Sequence, residues 1–228
     1  KANGYKLEVM PEPLGQHFLK NTEAIEKIIA AANPQKGDIV IEIGPGAGAL
    51  TLPLLELCAK NDAQYIGIEK DAELATTLSV QLASTHPNAK IYTTDVLTKL
   101  PDIVTGLPAK TNYKLIGNLP YYITGAIMRT AGELLPRPAL CVFMVQREVG
   151  ERICAKTGEM SLLSAAVQLW ATPKLLFKLP PKDFDPPPKV WSAVISLITR
   201  QDVIAPLDAE QYYRALPILF KQPRKTLF

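Results

Sequence analysis

Short β-branched runs alternate with segments of helical spacing along most of this chain, and few folds accommodate that pattern. Strand character marks Asp38 to Ile43, Gln64 to Glu69, Lys90 to Thr94, Tyr113 to Gly117 and Leu140 to Val145. Their continuous apolar composition suits strands covered on both faces. Between and around them, Thr22 to Ala32, Leu50 to Lys60, Asp71 to Ser84, Gly125 to Leu135 and Arg147 to Ala155 carry helical spacing, several with Asn, Asp or Thr at the start. The alternation predicts an α/β fold around a mostly parallel sheet. After a further helical segment, Ser161 to Trp170, the runs Lys174 to Leu179 and Val190 to Ile198 flank a loop containing Pro180, Pro181, Pro186, Pro187 and Pro188, which predicts a terminal antiparallel hairpin. A new helical pattern begins at Asp208 and stops at Phe228 before it could form a core, so residues 1–203 are expected to form one domain and 204–228 the beginning of a truncated helical second one.

Composition narrows the function classes. The 228 residues are 47% hydrophobic and 21% charged, enough for a substantial core and too apolar for a disordered chain. The longest apolar stretches, such as Ala139 to Val145, fall far short of the roughly 20 residues of a membrane span, and Lys1 to Pro13 has no apolar signal-peptide centre. A soluble, cytoplasmic protein with no membrane association is expected. Cys58, Cys141 and Cys154 lie far apart and read as buried thiols. His17 and His86 are the only histidines, which leaves little material for a metal centre or a Ser/His/Asp triad. A net charge of +3 neither requires nor opposes a polyanionic partner.

The chemical signals sit at strand ends. Glu42-Ile43-Gly44-Pro45-Gly46-Ala47-Gly48-Ala49 closes the first strand and leads into a helix, a turn that lets a ligand approach the backbone or simply joins the two elements. Glu69 ends the second strand, where a carboxylate can accept from two ribose hydroxyls or merely face solvent beside Lys70. Asp95 follows the third strand, so Gly, Glu and Asp share the rim where α/β folds bind ligands, and an adenosine-type ligand is indicated. The fourth strand ends in Gly117-Asn118-Leu119-Pro120-Tyr121-Tyr122. Asn118 offers a side-chain carbonyl, Pro120 holds Leu119 extended, and Tyr121 supplies a flat face, together a receptor for an aromatic amine. An Asn-capped turn with packing aromatics is the plainer account of the same residues.

The chain resembles the S-adenosylmethionine-dependent ribosomal RNA adenine N6,N6-dimethyltransferases, most closely those acting on 16S ribosomal RNA, the kasugamycin-sensitivity enzymes. The likeness runs through Leu14-Gly15-Gln16-His17-Phe18-Leu19, Glu42 to Gly48, Glu69, Asp95, Asn118 to Tyr121, Phe184-Asp185-Pro186-Pro187-Pro188-Lys189-Val190 and Arg224-Lys225-Thr226. It implies a Rossmann-like class I methyltransferase fold with a seven-stranded sheet over 1–203 and the start of an RNA-binding domain over 204–228. It further implies that His17 and Leu19 help close the cofactor site, that the loop of Gly44 and Gly46 faces the methionine part, that Glu69 holds the ribose and that Asp95 reads the adenine amine. Some relatives carry Asn at the position of His17. Asn118, Leu119, Pro120 and Tyr121 would be the catalytic motif, with Asn118 also bordering the cofactor, and Phe184 a second aromatic face clamping the target base against Tyr121. S-adenosyl-L-methionine is the implied cofactor, ribosomal RNA of the small subunit or its precursor the implied partner, and a monomer without metal the implied state.

Chemistry agrees with that implication. An adenine amine is a poor nucleophile while its lone pair is delocalised, and hydrogen bonds to the Asn118 oxygen and the Leu119 carbonyl would localise the pair. The base must be unpaired or extruded to reach them. Lys174, Lys178, Lys182 and Lys189 around the proline-rich loop, and Arg214, Lys221, Arg224 and Lys225 further on, are candidate phosphate contacts. Arg147 and Arg152 share a helix with Glu148 and Glu151, where charge pairing is the simpler reading. Three alternatives are carried forward: a nicotinamide-dependent oxidoreductase, which gives no purpose to Asn118 through Tyr121; a non-catalytic RNA-binding relative; and a 23S ribosomal RNA dimethyltransferase conferring macrolide resistance. Leu119 and the Pro186 to Pro188 loop lean toward the small-subunit enzyme.

Overall fold

The computed structural model describes residues 17–201 and 206–221. Leu14 to Gln16 and Arg224 to Thr226, quoted above for the family likeness, lie outside the described residues, as does Asp208 as a side chain. Seven strands form the central sheet: β2 (Ile39–Ile43), β3 (Gln64–Glu69), β4 (Lys90–Thr93), β5 (Tyr113–Asn118), β6 (Leu140–Gln146), β7 (Ala171–Leu179) and β9 (Ser192–Thr199). Their spatial order is β4-β3-β2-β5-β6-β9-β7. The first five are parallel, while β9 runs antiparallel to both β6 and β7. The α/β sheet and the terminal hairpin are thus as the alternation pattern predicts. Pro173, which has no N–H to donate, sits in β7 at the sheet edge, where that omission is tolerated.

Side-chain alternation along the strands divides the core into two layers. Ile39, Ile41 and Ile43 of β2 face a cluster that includes residues of α4 (Val96–Thr105), α5 (Thr124–Glu133), α6 (Arg147–Ile153) and α7 (Leu162–Gln168). Val40 faces the opposite cluster, built with α1 (Thr22–Ala32), α2 (Thr51–Lys60) and α3 (Ala72–Leu82). The helix starts follow capping chemistry: Asn21 accepts from the Ala24 N–H at 3.1 Å, and Asp71 from those of Glu73 and Leu74 at 3.0 and 3.2 Å.

Two features depart from the sequence reading. The helix α4, with Pro101 inside it, occupies a stretch that periodicity left unassigned. Its first turn is capped by Asp95, and Val96, Leu100 and Val104 bury one stripe, which is enough to carry the proline. Secondly, two-residue strands β1 (Phe18–Leu19) and β8 (Phe184–Asp185) pair antiparallel, Phe18 with Asp185 and Leu19 with Phe184. This small sheet ties a strap at residues 17–20 to the proline-rich loop, reinforced by the Lys20 N–H donating to the Asp183 carbonyl at 2.9 Å. The last described helix, α8 (Pro206–Leu219), docks on α7: the Tyr212 and Tyr213 hydroxyls donate to the carbonyls of Ala165 and Ala166. Among the described residues no helix is long and apolar enough to cross a membrane.

Candidate active site

Strand order reverses between β2 and β5, and the rim above that reversal is where a ligand crevice opens in such sheets. A pocket lies there, lined by the strap, the glycine loop, the ends of β3 and β4, and Asn118 through Ile123. The loop leaves β2 with Gly44, Gly46 and Gly48 at φ +67°, +58° and +86°, a left-handed path that side chains disfavour. At Gly46 a Cβ would lie 3.1 Å from the Phe18 ring of the strap, so any side chain there would press on the strap in addition to the backbone strain.

Glu69, buried at the end of β3, locks this loop. Its Oε2 accepts from the Gly46 N–H at 2.8 Å and its Oε1 from the Asp71 N–H at 2.9 Å. Each carboxylate oxygen has a second lone pair, so ribose hydroxyls can be received without breaking either bond. Asp95 caps α4 through the Leu97 N–H at 2.9 Å and meets Lys70 Nζ at 3.1 Å. The Leu97 N–H, then the Lys70 ammonium, hold its carboxyl below the usual range, so it stays an acceptor at neutral pH.

Beneath the loop, Glu42 is buried and receives the Thr51 hydroxyl at 2.7 Å and the Tyr65 hydroxyl at 2.5 Å, both on Oε2. Burial pushes its pKa from 4.5 up to about 7, against the lowering effect of the two hydroxyls. Gly67 makes room for this: a Cβ there would stand 3.0 Å from the Tyr65 hydroxyl. The triad of Glu42, Thr51 and Tyr65 escaped the sequence reading. Its partners lie on three different elements, and only the strand register reveals that they converge.

Asn118 ends β5 beside the loop. The approach depends on Gly117, whose register partner is Ile43 and where a Cβ would collide with the Ile43 carbonyl. Asn118 Nδ2 donates at 3.0 Å to the His17 carbonyl of the strap. A carbonyl only accepts, so this bond identifies the nitrogen end and leaves Oδ1 as the free acceptor of the carboxamide. The Leu119 N–H donates to the Met144 carbonyl at 3.0 Å while its side chain is buried, which fixes the following backbone. Pro120 is extended at φ −55°, ψ 132° and starts a 3₁₀ turn, Tyr121–Ile123. The Tyr121 ring lies 6.5 Å from that of His17, and its hydroxyl is 3.5 Å from Ser192 Oγ. Tyr122, for which the sequence suggested no role, lines the same pocket and is 64% exposed.

The structure therefore gathers His17, Leu19, Gly44, Gly46, Glu69, Asp95, Asn118, Leu119, Pro120 and Tyr121 around one pocket. Phe184 does not join them. Its ring is only 1% exposed, in the core cluster with Leu19, Leu179 and Val194, because pairing of β8 with β1 turns it inward. The second aromatic face expected of Phe184 is not presented in this conformation. Around the proline-rich loop, Lys178 is engaged by Glu151 at 2.6 Å, so Glu151 reaches across to β7 in addition to its charge interaction with Arg147 on α6.

The chain matches the family model for ribosomal RNA adenine dimethylase over residues 11–228. It is 39% identical to the ribosomal RNA small subunit methyltransferase A of Dehalococcoides mccartyi strain CBDB1 over 225 residues, 98% of this chain and 75% of that protein. Its counterpart in Xylella fastidiosa strain 9a5c is 38% identical over 93% of this chain and 79% of its own length. Among solved structures, a dimethyladenosine transferase from Plasmodium falciparum superposes with a TM-score of 0.78 at 29% identity, covering 92% of this chain and 73% of that one. The 23S rRNA methyltransferase ErmE gives 0.73 at 26% identity, over 92% and 81%. A likeness this extensive, in sequence and in fold, places the chain in the ribosomal RNA adenine dimethylase family.

Proposed function

We propose that the protein dimethylates the N6 amine of adenosines in small-subunit (16S) ribosomal RNA during ribosome biogenesis, with S-adenosyl-L-methionine as methyl donor. The observation that carries the reading is the orientation of Asn118, whose nitrogen is committed to the His17 carbonyl and whose oxygen is left open at the pocket. The naming of relatives at 38–39% identity as small-subunit enzymes supports the choice of RNA.

The residues fit the cofactor. The carboxylate of Glu69 retains lone pairs for a ribose, the Gly44 to Gly48 turn admits a ligand against backbone, and the Asp95 carboxylate stands as acceptor for an adenine amine. When bound, S-adenosylmethionine supplies an electrophilic methyl group on a sulfonium. The protein's own task is to prepare the nucleophile. Asn118 Oδ1 and the Leu119 carbonyl accept the two N–H bonds of the target amine and draw its lone pair out of the ring, while Tyr121 offers a stacking face. Pro120 keeps that backbone extended. Asn118 is not a base: the amine nitrogen becomes acidic after transfer and sheds its proton then. Phe184 supports the strap from the core. Residues 1–203 carry out transfer as a cytoplasmic monomer without metal, and 204–228 begin a helical unit that docks RNA.

The test is incubation with S-adenosylmethionine and small ribosomal subunits lacking adenine methylation, followed by nucleoside mass spectrometry. Dimethyladenosine is expected, and its appearance only with large-subunit RNA would overturn the assignment. In the same assay Asn118→Ala should lower transfer by at least about a hundredfold while sparing cofactor affinity, and Glu69→Ala should first weaken the cofactor. Equal loss of affinity in both variants would refute that division of labour.

A further inference from the structure

The strap reaches the catalytic motif through one residue. His17 presents its backbone carbonyl to Asn118 Nδ2 at 3.0 Å, and its own ring Nδ1 stands 2.7 Å from the carbonyl of Pro186, 169 positions away in the chain. Because the Pro186 oxygen only accepts, Nδ1 carries the proton and donates. The strand pairing of the strap begins one residue later, with Phe18 opposite Asp185 and Leu19 opposite Phe184. The ladder therefore anchors the strap beyond His17, and the imidazole holds the end that touches Asn118.

We propose that His17 is a positioning residue for methyl transfer: its imidazole latches the strap to the proline-rich loop and thereby holds the His17 carbonyl on the Asn118 carboxamide, keeping Oδ1 turned to the incoming amine. This rests on the reading of Asn118 as the amine's acceptor. It differs from a role in closing the cofactor pocket, because the ring's hydrogen bond runs to the proline-rich loop and the carbonyl's to the catalytic side chain. Without the latch the carboxamide is free to rotate, and Nδ2 can occupy the place of Oδ1, presenting a donor where an acceptor is needed. The latch calls for a hydrogen-bond donor two bonds beyond Cβ. Asn can supply one from Nδ2; Phe keeps a ring of similar shape beside Tyr121 but supplies none.

The test compares the intact chain with His17→Phe and His17→Asn in single-turnover methyl transfer to unmethylated small subunits, alongside S-adenosylhomocysteine titrations. The Phe variant should lose about tenfold to a hundredfold in the rate of transfer, the scale of a misaligned reacting group. Its cofactor Kd should stay within about threefold and His17→Asn should restore most of the rate. In 15N spectra the Asn118 carboxamide signals should move in the Phe variant and return in the Asn variant, a readout independent of turnover. Transfer at the parent rate in His17→Phe, an Asn variant as slow as the Phe variant, or a loss confined to cofactor affinity would each overturn the latch. Should His17→Phe fail to fold, His17→Ala takes its place in the same comparison. An inactive Asn118→Ala beside a fully active His17→Phe removes only the latch, whereas an active Asn118→Ala removes the reading beneath it.

Discussion

Glu42 shows how a single side chain at the site sets a property of the whole fold. Its carboxyl titrates near 7 in the folded protein because burial disfavours the charged form, against 4.5 for the ordinary group. The native state therefore holds a proton that the unfolded chain has released between those two values. Stability from this group is fully present below about pH 4.5, falls as pH rises toward 7 and is level above. The shift corresponds to about 3 kcal/mol. Glu42→Gln, which keeps the shape without the ionisation, should remove that part of the pH slope, so the variant gains on the parent as pH rises; urea denaturation at pH 5 and pH 8 measures it. An identical pH slope in both proteins would show that Glu42 is ionised across this range in the folded protein, as it is in the unfolded chain. The acceptor residues at the strand ends were legible from sequence because a glycine turn, an acid at a strand end and an Asn-Leu-Pro-Tyr run are local patterns. The Glu42 triad and the inward turn of Phe184 were not, since both are decided by which strands become neighbours.

Among the elements, β2 and β5 lie side by side and carry the site at one end and a clamp at the other. At the far end Lys114 of β5 meets Asp38 at 2.8 Å, with side-chain exposures of 11% and 5%. The same ammonium donates to the Asn33 carbonyl at the end of α1, and Asp38 also accepts from the Gln35 N–H. Removing one partner strands a buried charge, so Lys114→Met should destabilise the fold by roughly 3 kcal/mol, and adding Asp38→Asn should recover a large part of it. Denaturant midpoints for the two variants decide this, and methyl transfer at 25 °C should be little changed because the clamp is at the opposite rim. Periodicity identified every strand of the large sheet. It missed α4, where Pro101 interrupts the signal, and it missed β1 and β8, which are too short to have a period.

Taken as a whole, the molecule is a ligand-linked fold, because the pocket is assembled from the strap, the glycine loop and the ends of four parallel strands. A ligand that binds only the native state at a hundred times its Kd adds about 2.7 kcal/mol. For a chain of 228 residues that corresponds to about 5–10 °C in Tm. S-adenosylhomocysteine should produce a shift of that size in thermal melts, and Glu69→Ala at the same ligand concentration should show little of it. An undiminished shift would remove Glu69 from the cofactor's contacts. The antiparallel pairing of β1 with β8 also bears on the order of events during synthesis. Residues 17–20 must wait for residues 183–186 before the strap can close. Contacts of such long sequence separation carry a loop-closure cost that local ones do not. A nascent chain that has already built β2 through β6 thus still lacks the anchor that holds the His17 carbonyl on Asn118, and that anchor arrives only with residues 183–186.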